Sequence, residues 1–262
     1  MQSSQSLNIL FHVSRYWPAI AGAALHTRTM IKYLEQRGHQ VDVIRHFSLE
    51  ETSNEFAFTH SVDQQVKDEQ TDIYQISPHG LWRQPLQLLS QYHQDLRIIR
   101  PLFSYGTQQT LSQRFLQIAR SHQVIHAVYT GLTPTVITAQ QVAKQLKIPF
   151  ILTPLPHIRT GQTLAKSLRA LYDRCDKLIA MTSFEKQWLI AEGIAEDKIY
   201  VCPIGALTSV ETKSNFREKY NLPGKKIVLL ATQIFSRSKN ILQRSVLGTL
   251  KSLKEFSTSL NI

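Results

Sequence analysis

The loop between residues 14 and 22 holds the first chemistry the chain offers. It contains Pro18, then Ala21-Gly22-Ala23, and His26 follows one turn later. Small residues there let backbone amides come close to a ligand. The start of a helix adds the positive end of its dipole, which suits a phosphate or an oxyanion. A tight turn that only packs helix on strand would use the same residues, and both readings stay open. The spacing is not G-x-G-x-x-G, which argues against a nicotinamide enzyme. Cys175 and Cys202 form neither a disulfide framework nor a metal spacing. Both read as buried small hydrophobes of a reducing cytoplasm, and no metal site is expected.

The elements that must position this loop follow from apolar patterning. Asn8-Ile9-Leu10-Phe11-His12-Val13 predicts a first buried parallel strand. The next helix carries Leu25, Met30, Ile31 and Leu34 on one face. Arg37-Gly38-His39 closes it, because glycine just past a helix end accepts the left-handed conformation. A second strand runs from Gln40 to Arg45. Residues 46 to 71 are polar and poorly patterned and read as a long loop with one short strand. Residues 73 to 76 read as a strand, and 84 to 121 as helix broken near Pro101 and Gly106. Strands at 124–128, 150–153, 177–181 and 198–202 then alternate with helices at 133–146, 163–174 and 184–191. Such alternation predicts an α/β fold, a parallel, doubly wound sheet with helices on both faces. Ligands of such sheets sit beyond the carboxyl ends of the strands. Here those are the loops at 14–22, 126–131, 153–161, 181–184 and 203–206.

Composition bounds the class. A chain of 262 residues with 42% hydrophobic content can bury a sizeable core. No apolar run approaches the roughly 18 residues of a membrane span. Met1 to Ser6 has no basic n-region, so it is not a signal peptide, and a cytoplasmic location is expected. The net charge is +11, from 30 Lys and Arg against 19 Asp and Glu. From Lys225 onward seven basic residues face one acidic residue, a surplus of six of the eleven. A basic surface suits anionic partners, but no zinc-finger spacing and no aromatic single-strand platform is present, and nucleic acid is not an expected partner.

In order along the chain, Arg15-Tyr16-Trp17-Pro18, Ala21-Gly22, His26, Leu34 and Arg37-Gly38-His39 are followed by Val124-Ile125-His126-Ala127. Then come Ile148-Pro149-Phe150-Ile151-Leu152-Thr153 with His157, and Cys175-Asp176-Lys177-Leu178-Ile179-Ala180 through Ser183-Phe184-Glu185. Ile199-Tyr200-Val201-Cys202-Pro203-Ile204-Gly205 and Phe216-Arg217-Glu218-Lys219-Tyr220-Asn221-Leu222 complete the series. Together they resemble the family 4 glycosyltransferases of GT-B fold. The resemblance implies two Rossmann-like domains: residues 1–205 on the acceptor side, with a closed sheet of about six or seven parallel strands, a linker at 206–225, and the start of a nucleotide-sugar-binding domain at 226–262. It implies a retaining, metal-independent transfer of a sugar from a nucleotide-sugar to a glycan or lipid-linked acceptor, as in polysaccharide biosynthesis. The nucleotide-sugar is a substrate, and no cofactor is expected. By the same resemblance Gly22, His26 and His157 bind acceptor or substrate, His126 is the catalytic candidate, and Arg237 and Lys239 grip the donor diphosphate.

The sequence also departs from the family pattern. Ala21 replaces the first glycine of a pair, Val128 the second histidine of an H-x-H element, and Ile204 the asparagine of a P-N-G turn. The family's two glutamates seven residues apart, which hold donor sugar and ribose, have no counterpart after Asn240, where Glu255 is the only acid. The expectation is therefore a truncated second domain and an inactive chain. The alternative is a non-catalytic truncated paralogue that keeps an acceptor- or membrane-binding surface. A sugar-nucleotide epimerase of the same architecture is a third reading, disfavoured by the opening through His26. Between 82 and 105, Trp82, Arg83, Leu86, Leu88, Leu89, Tyr92, Arg97, Ile98, Ile99, Arg100, Leu102, Phe103 and Tyr105 mix cations with apolar groups. That mixture suits a peripheral site on the anionic inner face of a membrane, or else a helix pair with its apolar face in the core.

Overall fold

In the computed structural model, residues 6–19, 21–47, 55–92, 98–129, 131–156, 158 and 163–203 are described. Strand β1 (Asn8–Val13) leads into helix α1 (Gly22–Gln36) and strand β2 (Gln40–Arg45). Gly38, at φ 85°, lets His39 N–H return to the Leu34 carbonyl and stop α1 as expected. A short 3-10 turn (Glu55–His60) and strands β3 (Gln64–Asp68) and β4 (Thr71–Gln75) follow. Helices α2 (Arg83–Tyr92) and α3 (Ile99–Ala119) come next, then β5 (Val124–Val128), α4 (Thr133–Leu146), β6 (Phe150–Thr153) and α5 (Lys166–Asp173). Strand β7 (Lys177–Ala180), helix α6 (Ser183–Ala191) and strand β8 (Ile199–Val201) complete the described part.

The strands form one eight-stranded sheet in the order β3-β4-β2-β1-β5-β6-β7-β8. All neighbours are parallel except β3 and β4, which pair antiparallel. One expectation is corrected here: the sheet is open, with β3 and β8 at its edges. The short strand expected within residues 46 to 71 is β3, and it pairs antiparallel with β4, the strand expected at 73–76. The Glu69-Gln70 turn, with Glu69 at φ 58°, closes that hairpin without a glycine, so the composition carried no turn signal.

The strands read as unbroken apolar runs because both faces are covered. Leu10, Ile44, Ile125 and Leu152 face a cluster with Leu86, Phe103, Phe115 and Val136 of α2, α3 and α4. Ile9, Phe11, Val13, Val41 and Val43 face a second cluster with Ile31 of α1. Alternate residues of β1 thus serve opposite cores.

Helix α3 runs unbroken through Pro101 and Gly106, against expectation. Pro101 is its third residue, where a backbone N–H would have no intrahelical partner anyway. Gly106 serves packing, since a Cβ there would stand 2.6 Å from Trp82 Cε3. The mixed segment at 82–105 divides between core and surface. Leu86 and Phe103 are buried, while Leu88, Tyr92, Ile98, Leu102 and Tyr105 are exposed, Ile98 at 85%. Cys175 is buried as expected, but Cys202 is exposed. No helix among the described residues is long and apolar enough to cross a membrane.

Candidate functional site

The strand order reverses between β1 and β5, whose chain neighbours run to opposite sides of the sheet. A crevice at such a switch point, outside the carboxyl ends, is where open α/β sheets bind ligands. Three of the sequence-predicted residues converge there. Gly22 opens α1 behind Ala21, whose extended backbone caps the helix without a side-chain hydrogen bond, and the first turn holds no acid. Gly22 is exposed, and a Cβ on it would meet nothing within 4 Å. The first amides of α1 are therefore open to an oxygen-rich ligand.

Parallel register explains why His126 meets α1. His126 pairs with Phe11 on one side and Ile151 on the other, so it shares their face of the sheet, the face covered by α1. Its ring centroid lies 4.7 Å from that of Phe11. Its Nε2 is 2.8 Å from Thr153 Oγ1, and both residues are buried. Burial, and then the nearby His26, push the His126 imidazole down to about 3. His26 is half-buried and also lowered by desolvation. Both imidazoles are thus neutral at pH 7 and can act only by hydrogen bonding rather than charge. His126 is buried at 5% exposure, and His26 is near enough to depress its imidazole further. His157 lies outside the described residues, as do Arg237 and Lys239.

Thr153 was missed by sequence reasoning. It completes the apolar strand of β6, and nothing local marks it as the partner of a histidine 27 positions earlier. The backbone after the two central strands was missed as well. Tyr129 follows β5 at φ 75° and Leu155 lies just past β6 at φ 49°. Such conformations cost a bulky residue about 1–3 kcal/mol and cluster at ligand-binding sites.

The loop from Ser14 to Ala19 forms the wall above these groups. Arg28 stacks its guanidinium 4.1 Å from the Trp17 ring centroid. It donates to both oxygens of Asp68 on β3, at 2.6 and 2.7 Å. Buried Arg45, at the end of β2, donates to the Trp17 carbonyl and, at 3.0 Å, to Gln75 Oε1. The β3–β4 hairpin therefore holds Arg28 and Arg45 against the Trp17 loop. Among the described residues no group of three or more His, Cys, Asp or Glu could hold a metal ion.

An open, mostly parallel sheet with exposed helix amides and neutral imidazoles at its switch point defines a Rossmann-like half. The particular family follows from comparison. The Glycosyltransferase Family 4 model matches residues 20–210, and the chain belongs to that family. Its fold is of GT-B type. It is similar to Anabaena HepE in a crystal structure with UDP-glucose, at TM-score 0.51 and 14% identity over 82% of this chain and 50% of that one. It is also similar to a glycosyltransferase from Rickettsia africae ESF-5, at TM-score 0.50 and 16% identity over 83% of this chain and 50% of that one. The chain spans about half the length of these structures. No curated protein matches it.

Proposed function

We propose that this chain forms the acceptor side of a glycosyltransferase that moves a sugar from a nucleotide-sugar to a glycan or lipid-linked acceptor. The observation that carries the reading is the convergence of Gly22, His26 and His126 at the switch point. Neutral imidazoles and free amides can each hold a hydroxyl oxygen in place, which is what an attacking sugar hydroxyl needs. In such chemistry charge develops on the leaving diphosphate, and fixed cations there stabilise the transition state. Arg237 and Lys239 are proposed for that grip. Anabaena HepE was crystallised with UDP-glucose, which supports a nucleotide-sugar as donor here. Calorimetry tests the reading. Saturable binding of an acceptor glycan or lipid-linked sugar, weakened about tenfold or more in His26→Ala, is expected. Micromolar affinity for UDP-, GDP- or ADP-sugars that depends on His26, with no acceptor binding, would overturn it.

A second reading, a membrane-docking surface on the same half, is favoured by one observation. Leu88 and Tyr92 stand one turn apart on α2, and Ile98, Leu102 and Tyr105 follow the same spacing at the start of α3. All five are exposed, as is Arg100 beside them. Apolar groups interleaved with cations suit a cytoplasmic leaflet rich in anionic lipid. On this reading the protein sits peripherally at the inner face of the membrane, where a lipid-linked acceptor would present its sugar.

A further inference from the structure

A cavity of about 320 Å³ lies between the β3–β4 hairpin and α3, away from the switch point. Of its lining residues only Gln75 touches the site described above, as the acceptor that holds Arg45. Its chemistry is unusual for a surface cleft on a strongly basic protein, because it carries no net charge. Its two ionised groups, Asp63 and Arg114, pair with each other. The other oxygen of Asp63 accepts Ser77 N–H at 2.9 Å and Ser77 Oγ–H at 2.8 Å. That wall is rigid and neutralised.

The remaining polar groups are uncommitted amides. Gln65 on β3 and Gln117 on α3 are exposed and make no side-chain hydrogen bond among the described residues. Tyr74 pairs across the hairpin with Gln65, so both stand on one face. Its ring packs on the core. Gln75, by contrast, is fixed by Arg45 and the Val62 carbonyl and forms floor rather than a binding group.

This lining selects its ligand by exclusion and by match. An ion would lose its hydration with no counter-charge to meet it. A purely apolar ligand would strand the amides. Each glutamine offers a carbonyl acceptor beside an N–H₂ donor, the complement of two neighbouring hydroxyls, which both donate and accept. The ring of Tyr74 offers an apolar edge for the C–H face of a sugar. The volume is at the small end of ligand pockets, enough for one residue of a longer chain. We infer that the cleft between β3–β4 and α3 is a second carbohydrate-binding site, one that takes a neutral glycan.

The test uses the purified 262-residue protein against an array of neutral and uronate oligosaccharides, followed by calorimetry on the neutral hits. The inference predicts a neutral glycan whose affinity falls about tenfold or more in Gln65→Ala/Gln117→Ala. Both positions are exposed, so circular dichroism and the melting temperature should match wild type. The same isotherm should survive His26→Ala, which separates this cleft from the switch-point site. Three results would each overturn it: no neutral glycan binds, uronate oligosaccharides bind equally well, or the binding is lost in His26→Ala and kept in the double variant.

Discussion

Acidification should destabilise this fold through its buried histidines, and the geometry sets the size of the effect. His12 and His46 are buried with Nε2 atoms 2.9 Å apart. His46 Nδ1 lies 3.0 Å from the Ile76 carbonyl, so it carries the proton and its Nε2 accepts from His12 Nε2–H. His12 Nδ1 is then left without a hydrogen-bond partner. A further proton has no good place. On His12 Nδ1 it makes a buried donor with no acceptor, and on His46 Nε2 it turns two N–H groups against each other. Burial accordingly holds His46 down to about 4, although the Ile76 carbonyl pulls the other way. Burial and then His46 hold His12 well below the ordinary range. His126 falls to about 3. An unfolded histidine titrates near ~6.5. Below that pH the unfolded chain takes up protons that the folded chain refuses. The stability is therefore complete above about pH 6.5 and is lost as pH falls toward the folded values. At pH 5 His46 and His126 each cost about 2 kcal/mol relative to pH 7.5, and about 4 kcal/mol together. For a chain of this size that is roughly 8–16 °C in Tm. Glu185, raised by burial, acts with the opposite sign, because the folded state takes its proton first. Scanning fluorimetry at pH 7.5, 6 and 5, at fixed ionic strength, measures the slope. His126→Asn, which keeps a neutral group beside Thr153, should remove its own share, about 2 kcal/mol at pH 5, and leave that of the His12–His46 pair. A Tm that moves by less than about 3 °C between pH 7.5 and 5, or a slope unchanged in His126→Asn, would refute the reasoning.

Three further outcomes are expected. Arg28→Ala strands a buried Asp68 carboxylate and should cost about 3 kcal/mol in urea unfolding, while adding Asp68→Ala should cost less than the sum of the two single changes. Gly106→Ala forces Trp82 off the helix and should cost about 1–3 kcal/mol, read as a lower urea midpoint with an unchanged slope. In vesicle co-sedimentation, Arg83→Glu, Arg97→Glu and Arg100→Glu together should weaken binding to anionic lipid about tenfold or more. Binding unchanged by the triple substitution would count against a docking surface on α2 and α3.

The central strands were legible because burial on both faces writes itself as a continuous apolar run. Val124–Val128 and Thr133–Leu146 appear with their expected bounds. The position of β3 within residues 46 to 71, and its antiparallel pairing with β4, were not legible. Gln64-Gln65-Val66-Lys67-Asp68 is an edge strand with mostly exposed side chains, so it has no apolar period to read. The first helical turn hides Pro101, and Trp82 explains Gly106, a contact no local pattern reveals. Gly22, His26 and His126 were reachable through sequence order. What joins them is the β1–β5 pairing, a contact across 115 residues at Phe11 and His126, and Thr153 enters only through that register. The strained Tyr129 and Leu155 carry residue types that ordinarily avoid positive φ, so their sequence argued the other way.

NMR on protein labelled with ¹⁵N at histidine and glycine shows whether the switch-point cluster receives the acceptor, as proposed. Saturable shifts of the Gly22 amide and of the His26 and His126 ring nitrogens are expected on titration with an acceptor glycan or lipid-linked sugar, lost in His26→Ala, and none with UDP-glucose alone. Shifts of those three residues with UDP-glucose, while no acceptor sugar moves them, would contradict the proposal.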